Sequence, residues 1–289
     1  MQARIFHLQN LSALHVGTGQ GVGVVDLPIA RAKATNLPIV AGSALKGVLR
    51  YELKSQKNLD ESQINILFGK DKEADYAGAI AFGDANLLIL PIRSFSGMVA
   101  YATCPFILRQ YKRDLNLTLD IPKIDDDTAR VVAESALFIG DKIALEDLDI
   151  VAHVTDLTEK WADSITEQLY PANTLDYQSW REEIKKRFVI LPDSVFSFLA
   201  DTATEIRTRI RIDRATRVVQ SGALWTEENL PADSVLWGVI GVSASRDNNN
   251  SKSAEELASL LPDEEFHLQI GGKHTVGRGL CRLLIAKGE

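Results

Sequence analysis

The sequence predicts an α+β fold, a β-α-β-β-α-β core of the ferredoxin-like type that carries insertions and a protruding β-hairpin. Strand-like and helix-like stretches alternate along the 289 residues instead of running in blocks. Ile206, Ile210 and Ile212 alternate with Arg207, Arg209 and Arg211, and a return arm from Arg217 to Glu227 makes a hairpin of that run. No repeat of fixed period and no long linker divides the chain. The organisation expected is one domain over 1–289, with a helical insertion over about 112–190 and a hairpin arm over about 205–228.

Taken in order, Arg4 to Val16 alternates imperfectly through Ile5, Phe6, Leu8, Leu11 and Leu14, as a strand with room for a bulge does. It feeds a loop where Gly17, Gly19, Gly21 and Gly23 recur. Pro38 ends an extended run, Ser43 is a good N-cap, and a basic, partly apolar helix follows to about Lys54. Glu61 to Phe68 reads as a short helix closed by Gly69. Ala79 to Arg93 is strongly apolar and interrupted by Pro91, with Gly97 to Cys104 as its partner strand. Pro105 at a helix N1 position opens a helix to about Leu115, and NLTLDIPKIDDDTAR then reads as a long polar insertion. Strand character returns at Lys142 to His153, and Glu159 to Leu169, Tyr177 to Arg187 and Pro192 to Ala203 read as helices. The Ile/Arg run is expected to be a half-buried strand with a cationic face. Beyond the hairpin, Ser234 to Ser245 is a buried strand, RDNNNSKS a mobile loop and Ala254 to Leu260 a helix. Phe266 to Ile270 and Leu280 to Ala286 close the fold as a hairpin around a second glycine loop.

Composition narrows the function classes. Hydrophobic residues at 45% and charged residues at 25% are those of an ordinary soluble domain. Cys104 and Cys281 stand far apart with no C-x-x-C, which argues against a zinc cluster or a disulfide framework and fits a reducing cytoplasm. The start MQARIFHLQN lacks a basic region followed by an apolar run, and no stretch approaches the ~18 apolar residues of a membrane span. A cytoplasmic, membrane-independent protein is expected. The net charge of −7 counts against generic nucleic-acid binding. Distribution matters more, because acidic residues gather at Asp120 to Asp127, Asp141 to Asp149 and Glu255 to Glu265, while five arginines gather between Arg207 and Arg217.

The window Gly17 to Arg50 holds most of the chemistry. Its glycines allow a large ligand close to the backbone N–H groups. Asp26 lies between Val24, Val25, Leu27 and Pro28, where a carboxylate can accept a proton or hold a divalent ion; an Asx turn that caps the loop is the structural alternative. His15, just before the loop, is either a general base or a core histidine bonded to backbone. Ser43, Lys46 and Arg50 suit a phosphate backbone, the last two sharing a helix face; a cap on a helix that binds nothing and a solvated lysine are the structural alternatives. Farther on, Trp225 offers a stacking surface or a core tryptophan, and Glu227 and its neighbour Glu228 are candidate carboxylates of which one faces the ligand. GGKHTVGRG puts Lys273, His274 and Arg278 on a glycine-bounded loop. It fails the Walker A pattern at Arg278-Gly279, and GTGQGVG fails the dinucleotide fingerprint, so an NTPase or a phosphate-cofactor enzyme is a poor reading.

Four strings, LHVGTGQGVGVVDLPIAR, LPIVAGSALKGVLR, GALWTEENLP and GGKHTVGRG, resemble in content and order the RNA-cleaving backbone-subunit family of the type III-B CRISPR effector. That effector is the Cmr complex, and the family lies within the repeat-associated mysterious protein (RAMP) superfamily. The resemblance runs through essentially the whole chain. It implies an RNA-recognition-type core, an endoribonuclease of antiviral defence within a ribonucleoprotein, and Asp26 as the catalytic aspartate, with His15 and Glu227 beside it. It implies Mg2+ or Mn2+ at Asp26, and RNA contacts from Ser43, Lys46, Arg50, Arg207, Arg209, Arg211, Trp225, Lys273 and Arg278. The partners implied are guide crRNA, target RNA, further copies of the chain in a filament and other Cmr subunits. Base pairing would then read sequence while the protein reads duplex shape, giving regularly spaced cuts. A non-catalytic backbone subunit and a guide-processing endoribonuclease are the competing readings.

Overall fold

The computed structural model describes residues 1–21, 23–70 and 76–286; Val22 of the first glycine loop lies outside them. In chain order the elements of the first half are β1 (Gln2–Asn10), β2 (Ile39–Val40), α1 (Gly42–Gln56), α2 (Glu61–Phe68), β3 (Ile80–Phe82), β4 (Ala85–Arg93), β5 (Val99–Thr103) and α3 (Pro105–Leu115). An inserted segment supplies β6 (Thr128–Val131), β7 (Phe138–Ile139), β8 (Lys142–Leu145), β9 (Leu148–Val154), α4 (Asp156–Leu169), α5 (Tyr177–Lys186), β10 (Phe188–Ile190) and α6 (Asp193–Thr202). The hairpin β11 (Glu205–Ile212) and β12 (Val219–Asn229) follows, and β13 (Val235–Val242), α7 (Ala254–Ala258), β14 (Phe266–Gln269) and β15 (Leu280–Ile285) complete the chain.

Every strand except those of the hairpin joins one mixed sheet in the order β14-β15-β1-β13-β4-β5-β10-β6-β9-β8-β7, with β2 on β4 and β3 on β13. Toward one end of it β15, β1, β13 and β4 are antiparallel neighbours. Helix α1 lies in the connection from β1 to β4, and α7 in that from β13 to β15, which is β-α-β-β-α-β order. Leu45, Leu49 and Leu53, spaced four apart on α1, are almost wholly buried, each contributing roughly 1.5–3 kcal/mol relative to exposure. Local signals hold where expected. Asp60 and Gln63 form a capping box on α2, and Pro105 opens α3, which ends on Asn116 in the left-handed conformation. Pro91 sits where β4 pairs with β5 beyond its last partner on β13, so its missing N–H leaves no gap in the ladder.

Two expectations are corrected. The insertion is not simply helical, because its strands extend the main sheet. The end of the presumed polar stretch is β6, parallel to β9 and antiparallel to β10, with Ala129 and Val131 buried. Strands this short carry no periodicity to read. The first strand of the hairpin has no buried face either: Ile206, Ile210 and Ile212, expected to point inward, are 50%, 46% and 53% exposed. The hairpin stands off the body as its own two-stranded sheet. Its pairing sorts the side chains by face: Arg207 opposite Glu227 and Arg209 opposite Trp225 on one side, Ile206 opposite Glu228, Thr208 opposite Thr226 and Ile210 opposite Leu224 on the other.

Candidate active site at the root of the hairpin

Asp26 is solvent-exposed and tethered to β12. Its carboxylate Oδ2 accepts from the Thr226 N–H at 2.7 Å and from the Thr226 hydroxyl at 2.9 Å, while the Thr226 Oγ1 accepts from the Asp26 N–H at 3.0 Å. The loop continues along the strand, the Leu27 N–H donating to Thr226 O and the Glu228 N–H to Leu27 O. Thr226, by its N–H and then its hydroxyl, holds the Asp26 carboxyl below the usual carboxylate range, so the group is ionised at neutral pH.

Glu228 locks this docking from below. Its carboxylate accepts from Ile29 N at 3.0 Å, Arg31 Nη2 at 2.6 Å and Thr204 Oγ1 at 3.0 Å. Arg31 also donates to the carbonyls of Asn36 and Ala200, tying loop, hairpin and α6 together. The Glu228 carbonyl accepts from His15 Nδ1 at 2.7 Å. A carbonyl only accepts, so His15 Nδ1 carries a proton and donates it. His15 is buried, and a Cβ at Gly17 would lie 2.7 Å from its Nε2. The second glycine loop meets the same residue, with the Gly272 N–H on His15 O. Gly271, at φ +84°, passes so close that a Cβ would lie 2.2 Å from His15 O, which only glycine tolerates. His15 therefore pins both glycine loops to the hairpin root.

The expectation that Glu227 or Glu228 faces a ligand is corrected, because both are buried and neither shares Asp26's exposure. Glu227 points to the hairpin's cationic face, where Oε1 accepts from Trp225 Nε1 at 2.7 Å and pairs with Lys273 Nζ at 3.0 Å. Burial pushes its carboxyl up, but Trp225 and Lys273 outweigh that and hold it below the usual range. Lys273 also stands over the Trp225 ring at 5.6 Å. Arg278 is 7% exposed, and its Nε has no hydrogen-bond partner among the described residues. Burial, and then the positive Arg207 and Arg209, disfavour its charge, which an arriving anion would relieve. Arg207 is bonded to Glu205 at 2.8 Å. Arg209 is half-buried on this face, and Arg211 is exposed farther out, where the register of the hairpin shifts.

Residues of α1 lie elsewhere. Ser43 is exposed inside the first turn and is not the N-cap, which is Ala41; the Asp84 carboxylate accepts from the Gly42 N–H at 2.8 Å and takes that place. Lys46 lines an open groove of about 430 Å³ with Ser43, Ser243 and Arg246. Arg50 turns away from it, donating to Gly69 O and Asn65 Oδ1 and bracing the end of α2.

The profile of the RAMP superfamily matches residues 7–282. The chain belongs to the RAMP superfamily. Among its RAMP relatives, the CRISPR system Cmr endoribonuclease Cmr4 of Pyrococcus furiosus is 36% identical over 294 residues, covering 99% of this chain and 96% of the relative. The crystal structure of oligomeric Cmr4 from the same organism superposes with a TM-score of 0.74 at 30% identity, covering 100% of this chain and 99% of the other. A subunit in the cryo-EM structure of the type III-B Cmr-beta complex bound to cognate target RNA shares the fold, with a TM-score of 0.76 at 21% identity over 99% of this chain and 97% of that one.

Around the hairpin root and the α1 groove lie further residues that carry no signal of their own in the sequence. Thr226 lies inside the ALWTEENLP string, where strand alternation sends it to the face opposite Trp225 and Glu227. Arg31 closes the VVDLPIAR string, and Arg246 hides in a loop of no evident pattern. Among the described residues no group of three or more His, Cys, Asp or Glu side chains is placed to hold a metal ion. One exposed carboxylate still suits Mg2+ or Mn2+, which keep their waters and bind through one or two carboxylates plus substrate phosphates. No helix of the described residues is long and apolar enough to cross a membrane.

Proposed function

We propose that this chain is a backbone subunit of a type III-B CRISPR effector, binding guide RNA and cleaving the paired target RNA at regular intervals. The observation that carries the reading is an exposed, ionised Asp26 held on the hairpin's apolar face, opposite the face that gathers Trp225, Arg207, Arg209, Lys273 and Arg278. A hairpin so divided can part a duplex, with phosphates of the guide on the cationic side and the target brought to Asp26. Arg211 extends that cationic side, and Ser43, Lys46 and Arg246 line a second stretch of backbone track. Arg50 stands behind that track as a brace.

Asp26 accepts the proton of the attacking 2′-hydroxyl or water as it adds to phosphorus in line with the departing oxygen. A divalent ion, Mg2+ or Mn2+, held jointly by Asp26 and RNA phosphate oxygens, would supply charge neutralisation there. His15 positions the two glycine loops, and Glu227 orients Lys273 and Trp225 toward RNA; neither transfers the proton. Further copies of the chain, stacked with other Cmr subunits along one guide in the cytoplasm, repeat the site and so the cuts.

The Thr226 bonds favour one second reading, in which Asp26 only clamps its loop in a non-catalytic subunit. Asp26→Asn in the assembled, guide-loaded complex separates the two. Loss of target cutting with guide binding and assembly retained is expected, and undiminished cutting would dismiss Asp26 as the acting group.

A further inference from the structure

We infer that Thr226 is the positioning residue of the cleavage site, fixing from its place on β12 which oxygen of Asp26 meets the RNA. The inference rests on the proposed role of Asp26. That aspartate lies in an exposed loop beside glycines, next to Val24, which is 100% exposed, so packing does little to choose its rotamer. Thr226 supplies what packing does not. Its N–H and hydroxyl converge on Oδ2, and its Oγ1 accepts from the Asp26 N–H, so the two residues close a reciprocal set of three hydrogen bonds. Side chain and main chain of Asp26 are thereby fixed together, with Oδ1 left for the incoming group.

Thr226 is itself held. Its carbonyl accepts from the Leu27 N–H at 3.1 Å, and it pairs with Thr208 across the hairpin. On the next residue but one, Glu228 binds the same loop through Ile29 and Arg31. The hydroxyl is thus presented by a rigid strand to a loop with little rigidity of its own. Displacing a reacting group by about 1 Å costs on the order of 100-fold in rate. Valine matches threonine in shape and removes the hydroxyl donor and acceptor; serine keeps both.

The test uses the assembled, guide-loaded complex with a cognate target RNA. Thr226→Val is expected to lower kcat by about tenfold to a hundredfold with the KM for target unchanged, and Thr226→Ser to restore it. A role in folding alone would change yield or assembly and leave kcat per assembled site untouched. Wild-type kcat in the valine variant, or an equal loss in the serine variant, overturns the inference. If valine disturbs the strand, Thr226→Ala gives the same comparison against serine. Asp26→Asn, run alongside, tests the underlying reading separately: an inactive asparagine variant with a fully active valine variant sinks only the role of Thr226.

Discussion

Glu228→Gln should destabilise the chain by about 3 kcal/mol, although the substitution keeps the shape of the side chain. The Glu228 and Arg31 side chains are 7% and 15% exposed and 2.6 Å apart, and the carboxylate also takes the Ile29 N–H and the Thr204 hydroxyl. Glutamine has one acceptor oxygen, so its NH2 must confront either the Arg31 guanidinium or the Ile29 N–H, donor against donor. One charge-assisted bond is lost, about 1.5–3 kcal/mol, and one buried donor is stranded, about 1–3 kcal/mol more. Arg31 keeps Asn36 O at 2.8 Å and Ala200 O at 3.2 Å, which holds the sum near the low end of the combined range. Thermal unfolding followed by the fluorescence of the buried Trp161 and Trp237 reads the change as a fall in Tm of roughly 6 °C, at roughly 2 °C per kcal/mol for a chain of this size. The double variant Arg31→Gln/Glu228→Gln should recover at least about 1 kcal/mol by removing the stranded cation. A single-variant cost below about 1 kcal/mol, or a double variant no better than the sum of its parts, would refute the latch.

Two further outcomes follow from the same structure. Burial holds His7 down at about 4 against an ordinary 6.5, so the unfolded chain takes up the proton first. Stability is full above pH 6.5 and declines as pH falls toward 4, by up to about 3 kcal/mol, and His7→Gln should flatten that limb in urea titrations at successive pH values. Arg209→Ala should weaken guide binding alike for all guide sequences and reduce the slope of log K against log salt by about 1, and an unchanged slope would remove the hairpin's cationic face from the guide site.

Much of this was open to reading in the chain alone, for reasons that are local. Capping at Asp60, the Pro105 start and the apolar spacing of Leu45, Leu49 and Leu53 each act within a turn or two, so the helices stand close to where spacing put them. The short buried strands β6 and β10 were not readable, since three or four residues make no period and only their neighbours in the sheet define them. Ser43 lost its capping place to Asp84, a residue 42 positions from the N–H it accepts.

The division is sharpest at the site. By itself the sequence determined which groups exist: a lone acid among apolar neighbours at Asp26, glycines that admit close approach, and an alternation of cation and isoleucine that makes a two-faced arm. Only the tertiary structure decided which carboxylate meets solvent, because Asp26 is held by Thr226 200 positions away, while Glu227 and Glu228 are turned inward to Lys273 and Arg31. Exposure and charge state depend on what the folded chain brings within 3 Å, and no spacing along the chain encodes that.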